Sequence, residues 1–468
     1  MVEPSIGAQD APDMSAVLKS TQEAAEWAVR RAKALGADAA SAEASLDRGF
    51  AASTRFEALE AVERTEEQML VISAWKGGAR GSASTSDLSE SSLEAVVRAA
   101  LSIASHVRPD PFSGLPDASD LQRCPPDLGL HPEEAPLTIE AAVDMLRRTE
   151  AAAFAVDSAI CNTEGARLEF NEGAFTLANS LGFSAGYPYA RYTLDCWPTA
   201  QLPETAGDDA VEESQRDGWW SEARRARDLM APEALGRMAG ERALRRLGSR
   251  PLASGEYDVL FEPQAAAGLL DVLEALLAGR AIYQRTSCLA DAMGEQILPA
   301  HLSVTEDPYE PGGLGSGAFD EEGCAGRRRA VVDGGRLAGF FLSSYSARKL
   351  GLRTTGNAGG AYNLRLSSTL TKPSDDARSM LGRLHRGVLV TELIGSGFNP
   401  VTGDYSRGAC GFWVENGRIS HPVEGFSIVG NIRDMMLRIA ALGADELVSG
   451  ARRTGSLLFE KLTIAGEQ

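Results

Sequence analysis

Residues 387–436 carry the densest strand pattern of the chain, and they read GVLVTELIGSGFNPVTGDYSRGACGFWVENGRISHPVEGFSIVGNIRDMM. In this stretch Asn416-Gly417 lies between the β-forming run Phe412-Trp413-Val414 and Ile419. An Asn-Gly pair between two such runs is a strong signal for a β-hairpin with a tight turn. We therefore predict a hairpin at this pair. The strands that we predict in the stretch cover residues 387–394, 411–415 and 425–429.

Outside this stretch the apolar spacing predicts helices and strands in mixed order. The predicted helices cover residues 14–35, 87–105, 139–156, 232–247 and 263–278, and Asp87 is the predicted N-cap of the second. The predicted strands cover residues 39–46, 56–64, 69–75, 80–85, 174–181, 187–196, 257–261, 330–332 and 339–342. Because there is no regular βαβ rhythm, we predict an α+β fold. A second unit begins near residue 231, which divides the chain into 1–230, an N-terminal α+β domain, and 231–468, a β-rich domain with mixed and antiparallel sheets.

The composition excludes several classes of protein. The formal net charge of −19 argues against a nucleic-acid partner, because phosphate contacts need a basic surface. The basic run 327–329 is predicted to be a solvated strand edge. There is no run of 18 apolar residues, and the N-terminal 14 residues are polar and acidic rather than a signal peptide. We therefore expect a cytoplasmic protein with no membrane partner.

Three patterns have the form of catalytic motifs. Residues 182–186 fit GxSxG, but β-forming residues follow where a helix is required, so a hairpin turn is predicted. Residues 313–318 fit GxGxxA, but acidic residues follow, which favours a glycine loop. Ser346 and Lys349 fit the SxxK motif of penicillin-binding enzymes, in which lysine activates serine. A serine hydrolase using this pair stays an alternative, although neither an SDN nor a KTG element is present.

Histidine and cysteine do not form a metal-binding pattern in the sequence. No two of the five histidines are closer than 25 residues, so a histidine pair on one helix face is absent. No CxxC pair is present among the six cysteines, which we predict to be free thiols. A metal site assembled from histidines far apart in the sequence stays an alternative, but a surface or loop position is favoured for each. We expect neither a metal nor another cofactor.

The stretch 387–436, together with residues 81–88, 323–331, 346–356 and 462–466, resembles the PmbA/TldE branch of the TldD/PmbA family, also called gyrase modulators. The resemblance spans nearly the whole chain from about residue 20. It implies an α+β N-terminal domain, a β-rich C-terminal domain and a two-fold dimer that encloses a cavity. It also implies an active pair in which a TldD subunit holds zinc on an HExxxH helix, with a distant cysteine. That subunit cleaves unfolded or modified peptides.

The chain departs from the TldD pattern where the resemblance implies chemistry. The metal-ligand positions fall at Asp271 and Leu276, and the glutamate position falls at Val272. Leucine cannot bind zinc, and valine cannot act as a general base. No cysteine follows Cys410. The residues themselves predict an amphipathic helix whose apolar face consists of Leu269, Val272, Leu273 and Leu276.

These features predict a metal-free partner subunit of a TldD-like zinc peptidase subunit, holding an extended peptide substrate. A homodimer is possible when the partner is absent, with the apolar strands 388–393 and 412–414 as its expected surface. A second alternative is a binding protein that modulates another machine. The cavity-lining segments are expected at 343–356 and 397–411. Their candidate residues are Ser346, Thr355, Asn399, Asp404 and Arg407.

Overall fold

The structure is a computed structural model that describes residues 13–202 and 214–466. The polar residues 1–12, which entered the prediction about a signal peptide, lie outside the described residues. The chain divides into two units. Unit 1 comprises residues 1–198, 218–241 and 318–325, and unit 2 comprises 199–217, 242–317 and 326–468. The predicted division between residues 230 and 231 remains a proposal.

The helices of the described residues are α1 (Met14–Ala34), α2 (Glu90–His106), α3 (Ile139–Phe154), α4 (Pro232–Arg245), α5 (Pro263–Leu277), α6 (Gly279–Tyr283), α7 (Ser344–Leu350), α8 (Ala377–Leu384) and α9 (Ile432–Leu437). Within the described parts of the chain, no helix is long and apolar enough to span a membrane.

The first seven strands are β1 (Ala39–Arg55), β2 (Ala58–Lys76), β3 (Ala79–Thr85), β4 (Ile160–Asn179), β5 (Ser184–Gln201), β6 (Ser214–Arg216) and β7 (Trp219–Ala223). They form one sheet in the order β3-β2-β1-β4-β5-β6, and β7 also pairs with β5. The next strands are β8 (Arg250–Pro251), β9 (Gly255–Phe261), β10 (Leu302–Asp307), β11 (Arg329–Asp333), β12 (Arg336–Leu337), β13 (Asn363–Ser368) and β14 (Gly387–Ile394). The last are β15 (Asp404–Glu415), β16 (Arg418–Asn431), β17 (Ile439–Leu442), β18 (Leu447–Ser449), β19 (Arg452–Thr454) and β20 (Leu457–Ala465).

Small side chains bring α1 and α2 close to the first sheet. Ala25 and Ala28 of α1 and Val97 of α2 are buried against Leu70 of β2 in one core. A Cβ on Gly81 of β3 would overlap the backbone of α2, so only glycine allows this approach. The alanine-rich spacing of α1, which predicted a helix, therefore also sets the close packing distance between helix and sheet.

Residues 58–67 of β2 form an exposed strand edge. Within the described residues they pair with β1 alone, because β3 covers only Leu70 to Lys76 of β2. All ten residues are exposed. Four glutamates, at positions 60, 63, 66 and 67, charge this edge. Charge on an edge strand opposes pairing with another chain.

A closed ring of strands forms the centre of unit 2. Strand β20 pairs with both β9 and β16, and the order β20-β9-β14-β15-β16 therefore closes on itself. The rings of Phe261 and Phe459 lie 4.8 Å apart in its core, next to buried Val390 and Ile428. A further sheet has the order β12-β11-β10-β13-β19-β18. Mixed and antiparallel sheets with helices confirm the predicted α+β class.

The strongest local signals are confirmed. Helix α1 ends next to Gly36, whose φ is +93°, and β14 covers the predicted residues 387–394. The predicted hairpin pairs Glu415 with Arg418, and both turn residues between them have positive φ, as an Asn-Gly turn requires. The predicted hairpin turn between β4 and β5 lies at residues 180–183, so that residues 184–186 already belong to β5, and residues 313–318 form a loop.

Three local predictions are wrong. Residues 339–342 are not a strand; the strand there is β12, and Phe341 makes only an isolated bridge with Ala278. The N-cap of α2 is Ser89 rather than Asp87, because the Asp87 carboxylate instead accepts hydrogen bonds from Ser89. The third wrong prediction is that the basic run 327–329 is a solvated strand edge, since Arg329 forms an ion pair with the buried Glu306.

Arg329 is not a solvated edge residue. Its Nε lies 2.9 Å from Oε2 of Glu306, whose side chain is 1% exposed. Asn357 donates to the other oxygen of the same carboxylate over 2.6 Å. The neighbouring Arg328, at 79% exposure, is solvated as predicted. Sequence reasoning missed this pair because its partners lie on different strands.

Candidate functional site

Helix α5 occupies the position at which the resemblance implies a metal-binding helix. It begins at Pro263, where the missing N–H costs no helical hydrogen bond, and ends at Leu277. The leucines buried on its core face are Leu270, Leu273, Leu276 and Leu277. The predicted face was partly wrong, since Leu269 and Val272 are only partly buried, although both pack against the same core.

The three positions of the implied metal motif have structural roles. Leu276 is 0% exposed, and Val272 packs at the rim of the same core. Asp271 is exposed, and its Oδ1 accepts a hydrogen bond of 2.8 Å from Nε of Arg452. A catalytic zinc site has three protein ligands. Since only one of the two ligand positions carries a donor atom, these residues do not fit a zinc site.

Arg452 of β19 neutralises a second carboxylate of the helix. Its Nη2 contacts Oε2 of Glu274, and Oε1 of Glu274 accepts a hydrogen bond of 2.7 Å from the backbone N–H of Ala361. The Arg452 side chain is only 12% exposed. Glu274 therefore serves to fix α5 to its neighbours. Neither Arg452 nor Glu274 was recognised in the sequence, which gives no signal for an ion pair across 178 positions.

One other group of potential metal ligands is present in the described residues, in unit 1. Asp320, Glu322 and Cys324 each place one ligand atom within 4.8 Å of the others. Oδ1 of Asp320 accepts hydrogen bonds from the backbone N–H groups of Glu322 and Cys324, at 2.9 and 2.8 Å. These bonds are those of a turn, so the arrangement is explained without a metal.

Ser346 and Lys349 lie in α7 with different surroundings. The Ser346 side chain is buried, and its Oγ donates to the carbonyl oxygen of Ser343 over 3.2 Å. Ser343 caps the helix by accepting from the Ser346 N–H. Lys349 is exposed, with Nζ 5.4 Å from the centre of the Tyr345 ring. The serine hydroxyl thus bonds to Ser343, the cap residue of its own helix, whereas an SxxK nucleophile needs the lysine as its partner.

Thr355 connects two backbone segments. Its Oγ1 accepts a hydrogen bond of 2.7 Å from the backbone N–H of Leu342, and its own N–H donates to the carbonyl oxygen of Leu342 over 3.1 Å. These bonds fix residues 353–357 beside the segment that enters α7. Ser346 and Thr355 therefore belong to one locally folded unit.

Asn399 and Asp404 build the turn before β15. Oδ1 of Asn399 accepts from the N–H of Val401 over 3.0 Å, and the Asn399 N–H donates to the carbonyl oxygen of Asp404 over 2.8 Å. The Asp404 carboxylate accepts from the hydroxyl of Thr402 over 2.6 Å. The turn is also anchored from outside, since the Cys288 N–H donates to the carbonyl oxygen of Pro400 over 2.7 Å.

Arg407 is the candidate that reaches α5. Its Nη1 lies 4.0 Å from where a Cβ on Gly268 would stand, and Nη2 donates to the carbonyl oxygen of Leu393 over 3.1 Å. Burial raises the pKa of Tyr405, and the nearby Arg407 partly offsets this rise. The Nε of Arg407 is buried, and no acceptor for it occurs among the described residues. A buried donor without an acceptor is uncommon and points to a missing partner.

The family models that match this α+β chain are those of metallopeptidase domains. Residues 132–247 match the family model for the PmbA/TldA metallopeptidase central domain, and residues 254–466 match that for the C-terminal domain. The chain belongs to the PmbA/TldD family, as its sequence resemblance implied.

Two curated relatives span almost the full chain. Metalloprotease PmbA of Escherichia coli O157:H7 is 38% identical over 431 residues, which cover 92% of this chain and 93% of the relative. The Metalloprotease PmbA homolog of Haemophilus influenzae is 35% identical over 459 residues, covering 97% and 99%.

Solved structures share the fold. A putative modulator of DNA gyrase from Bacteroides thetaiotaomicron superimposes with a TM-score of 0.87 at 27% identity, covering 95% of this chain and 99% of the other. TldE from Thermococcus kodakarensis superimposes with a TM-score of 0.78 at 20% identity, covering 95% and 100%, a likeness that concerns the fold alone.

Proposed function

We propose that this chain is the metal-free partner subunit of a two-component cytoplasmic peptidase. A TldD-like zinc subunit supplies the metal, and this chain helps to bind and present unfolded or modified peptides. The observation that carries the proposal is the chemistry of α5, where a fully buried leucine, Leu276, stands at one implied ligand position. The other, Asp271, is engaged by Arg452. A family member with this helix depends on another chain for a metal-bound water.

The proposed contribution of this chain is positional. A peptide held in an extended conformation reaches the metal of the partner in a productive geometry, which lowers the entropic part of the barrier. Segments 343–356 and 397–411 are the proposed binding surface. Arg407 supports this assignment, because its buried Nε has no acceptor among the described residues and a peptide carbonyl oxygen is a suitable one.

The proposed dimer interface needs a different surface from the one predicted. The side chains of Val388, Leu389 and Val390 are buried in the core of their own chain, as are Phe412 and Val414. These five side chains therefore cannot supply an intermolecular apolar surface, whereas Leu393 and Trp413 of the same strands are partly exposed. The proposal of a dimer, formed by two copies of this chain or by this chain and a TldD-like subunit, rests on the family resemblance.

Reconstitution tests the proposed function. The purified chain, a purified TldD-like subunit and their equimolar mixture are each incubated with an unstructured fluorogenic peptide. We expect efficient cleavage by the mixture only, and loss of that cleavage when zinc is removed from the TldD-like subunit. Full cleavage by this chain alone would refute the partner role.

Variants of this chain separate binding from chemistry. Arg407→Gln in the mixture is expected to raise KM with little change in kcat, since a residue that only holds substrate contributes to binding. Ser346→Ala and Lys349→Ala should reduce activity only modestly. If either abolished turnover while the zinc subunit stayed loaded, and if a fluorophosphonate probe labelled Ser346, the serine hydrolase would replace this proposal. Peptide binding without cleavage in any mixture would favour a binding protein that modulates another machine.

A further inference from the structure

Unit 1 contains a cavity of about 500 Å³ away from every residue discussed above as a candidate site. It lies between the segment before α3, the exposed side of α3, strand β5 and the segment before α4. Its volume is typical of pockets that bind small molecules or a few residues of a peptide. The apolar part of its wall consists of Leu137, Met145, Leu229, Met230 and Pro232.

Three arginines, Arg148, Arg225 and Arg227, supply most of the polar side chains of the wall, although the chain as a whole carries a net charge of −19. Two of the three are neutralised. Arg148 pairs with Glu233 at 2.8 Å, and Arg227 pairs with Glu134 at 2.7 Å. Of the wall residues that the structure describes, Glu134 is the one that carries a carboxylate. Its pairing with Arg227 reduces its repulsion of an anion in the cavity.

Arg225 is the third arginine of the cavity wall, and its guanidinium has no hydrogen-bond acceptor within residues 13–202 and 214–466. It is only partly exposed, and its backbone carbonyl alone is engaged, by the N–H of Asp228 over 3.1 Å. A partly buried guanidinium usually pairs with a carboxylate. Here the cavity itself offers the space for such a group.

Tyr192 adds a second donor to the same wall. Its oxygen accepts a hydrogen bond of 3.1 Å from the backbone N–H of Leu137, which leaves the O–H free to donate. The ring is fixed by stacking on Phe170, with centroids 4.5 Å apart. Burial raises the pKa of Tyr192, so the hydroxyl keeps its proton at neutral pH. Both donors therefore persist under physiological conditions.

We propose that this cavity binds a carboxylate carried on an apolar group, with Arg225 and Tyr192 as the groups that recognise the carboxylate. Two sources offer this chemistry: the free C-terminus of a peptide that ends in an apolar residue, and a small apolar acid. In both, the apolar group lies against Leu137, Met145 and Met230. The site is separate from α5, and its test does not depend on the proposed partner role.

Fluorescence anisotropy of the full chain tests the assignment. The first probe is N-terminally labelled Gly-Gly-Leu-Phe with a free carboxylate, and the second is the same peptide as its C-terminal amide. The third is unlabelled 3-phenylpropanoate, which is titrated both by calorimetry and as a competitor. We expect the acid peptide to bind at least about tenfold more tightly than the amide, since a hydrogen-bonded charge contributes that much.

Matched variants identify the residues responsible. Arg225→Gln is expected to remove the preference for the acid, and Tyr192→Phe to weaken acid binding several-fold while the ring stays in place. Arg237→Gln makes the same charge change on an exposed face of α4 outside the cavity, and it should bind like the unmodified chain. Circular dichroism of each variant establishes that the fold is retained.

The outcomes separate the two sources. Binding of 3-phenylpropanoate, lost in Arg225→Gln, without binding of the acid peptide would support the site and assign it to a small acid. Binding of both acids with mutual competition would support a peptide C-terminus. Equal binding of acid and amide, unchanged binding in Arg225→Gln, or no binding of either acid up to about 10 mM would overturn the proposal.

Discussion

Arg452 donates a hydrogen bond of 2.8 Å from Nε to Oδ1 of Asp271 and so joins strand β19 to helix α5. The two side chains differ in exposure, with Arg452 at 12% and Asp271 at 63%. Arg452 is thus the less exposed partner of the contact, and it also forms an ion pair with Glu274. Asp271, which stands where the family resemblance implies a metal ligand, is thus part of a structural ion pair.

Replacing Arg452 should destabilise the chain more than replacing its exposed partner. Arg452→Met leaves Glu274 without its cation and is expected to cost about 1–3 kcal/mol. Asp271→Asn should cost less than about 1 kcal/mol, because the pair is solvated on that side. Urea unfolding of both variants measures the difference, and equal costs would show that the pair does not hold α5.

The buried leucine of α5 should be among its most sensitive positions. Leu276→Ala creates a cavity beneath the helix and is expected to lower stability by about 2–5 kcal/mol. The matched control is Leu269→Ala, at a partly buried position of the same helix, which should cost clearly less. Thermal unfolding of the two variants provides the comparison. A smaller loss for Leu276→Ala would contradict the packing described for α5.

The purified chain is expected to bind no stoichiometric zinc. Two features motivate this expectation: Leu276 offers no ligand atom at an implied metal position, and Asp271 is engaged by Arg452. Elemental analysis after dialysis against dilute chelator is the measurement. About one tightly held zinc per chain, with an activity lost on chelation, would overturn it.

The chain alone is expected to form a dimer, as the family resemblance implies. Light scattering coupled to size exclusion should give about twice the chain mass of 49.6 kDa. The side chains of Val388, Leu389, Val390, Phe412 and Val414 are buried, so polar substitutions at these positions should unfold the chain rather than dissociate a dimer. A strictly monomeric species at micromolar concentration would refute the expectation.

Stability should depend on pH through Glu43. Burial, followed by repulsion from Glu321, raises the pKa of this carboxyl from 4.5 to about 7. A raised carboxyl pKa means that the folded chain binds the proton more tightly, so folding loses stability as pH rises from about 4.5 to 7.

Glu43→Gln removes this ionisation. It should increase the free energy of unfolding by about 1–3 kcal/mol at pH 8 and have little effect at pH 4. Glu63→Gln, on the exposed edge of β2, is the control and should change little at either pH. Equal effects of Glu43→Gln at both pH values would contradict the assignment.

Local sequence signals predicted elements well where the pattern was strong. Asn416-Gly417 placed the hairpin, and the apolar spacing placed α1 and β14. The prediction ended β1 at residue 46 and divided β2 into two strands, because polar residues and a glycine at 47–49 and polar residues at 65–68 interrupt the apolar alternation. The burial of Arg329 could not be predicted, since its partner Glu306 lies on another strand and no periodicity connects them.

The candidate site was predictable only in part. The family motif located α5, and elementary ligand chemistry excluded Leu276 as a metal ligand. The sequence could not indicate that the Ser346 hydroxyl bonds to Ser343, that Arg407 reaches Gly268, or that Arg225 lines a cavity. Each of these depends on side chains brought together across the fold.

The sequence by itself determined the α+β class, the family and the absence of a metal-ligand pair on α5, because periodicity, turn chemistry and donor atoms are properties of local sequence. The tertiary structure alone decided which charges are buried and which are paired. Arg452 and Asp271 lie 181 positions apart, and the pairing of β20 with β9 and β16 joins both ends of unit 2. Such contacts form only when the whole core has been assembled, since burial and electrostatic pairing depend on spatial neighbours rather than on neighbours in the chain.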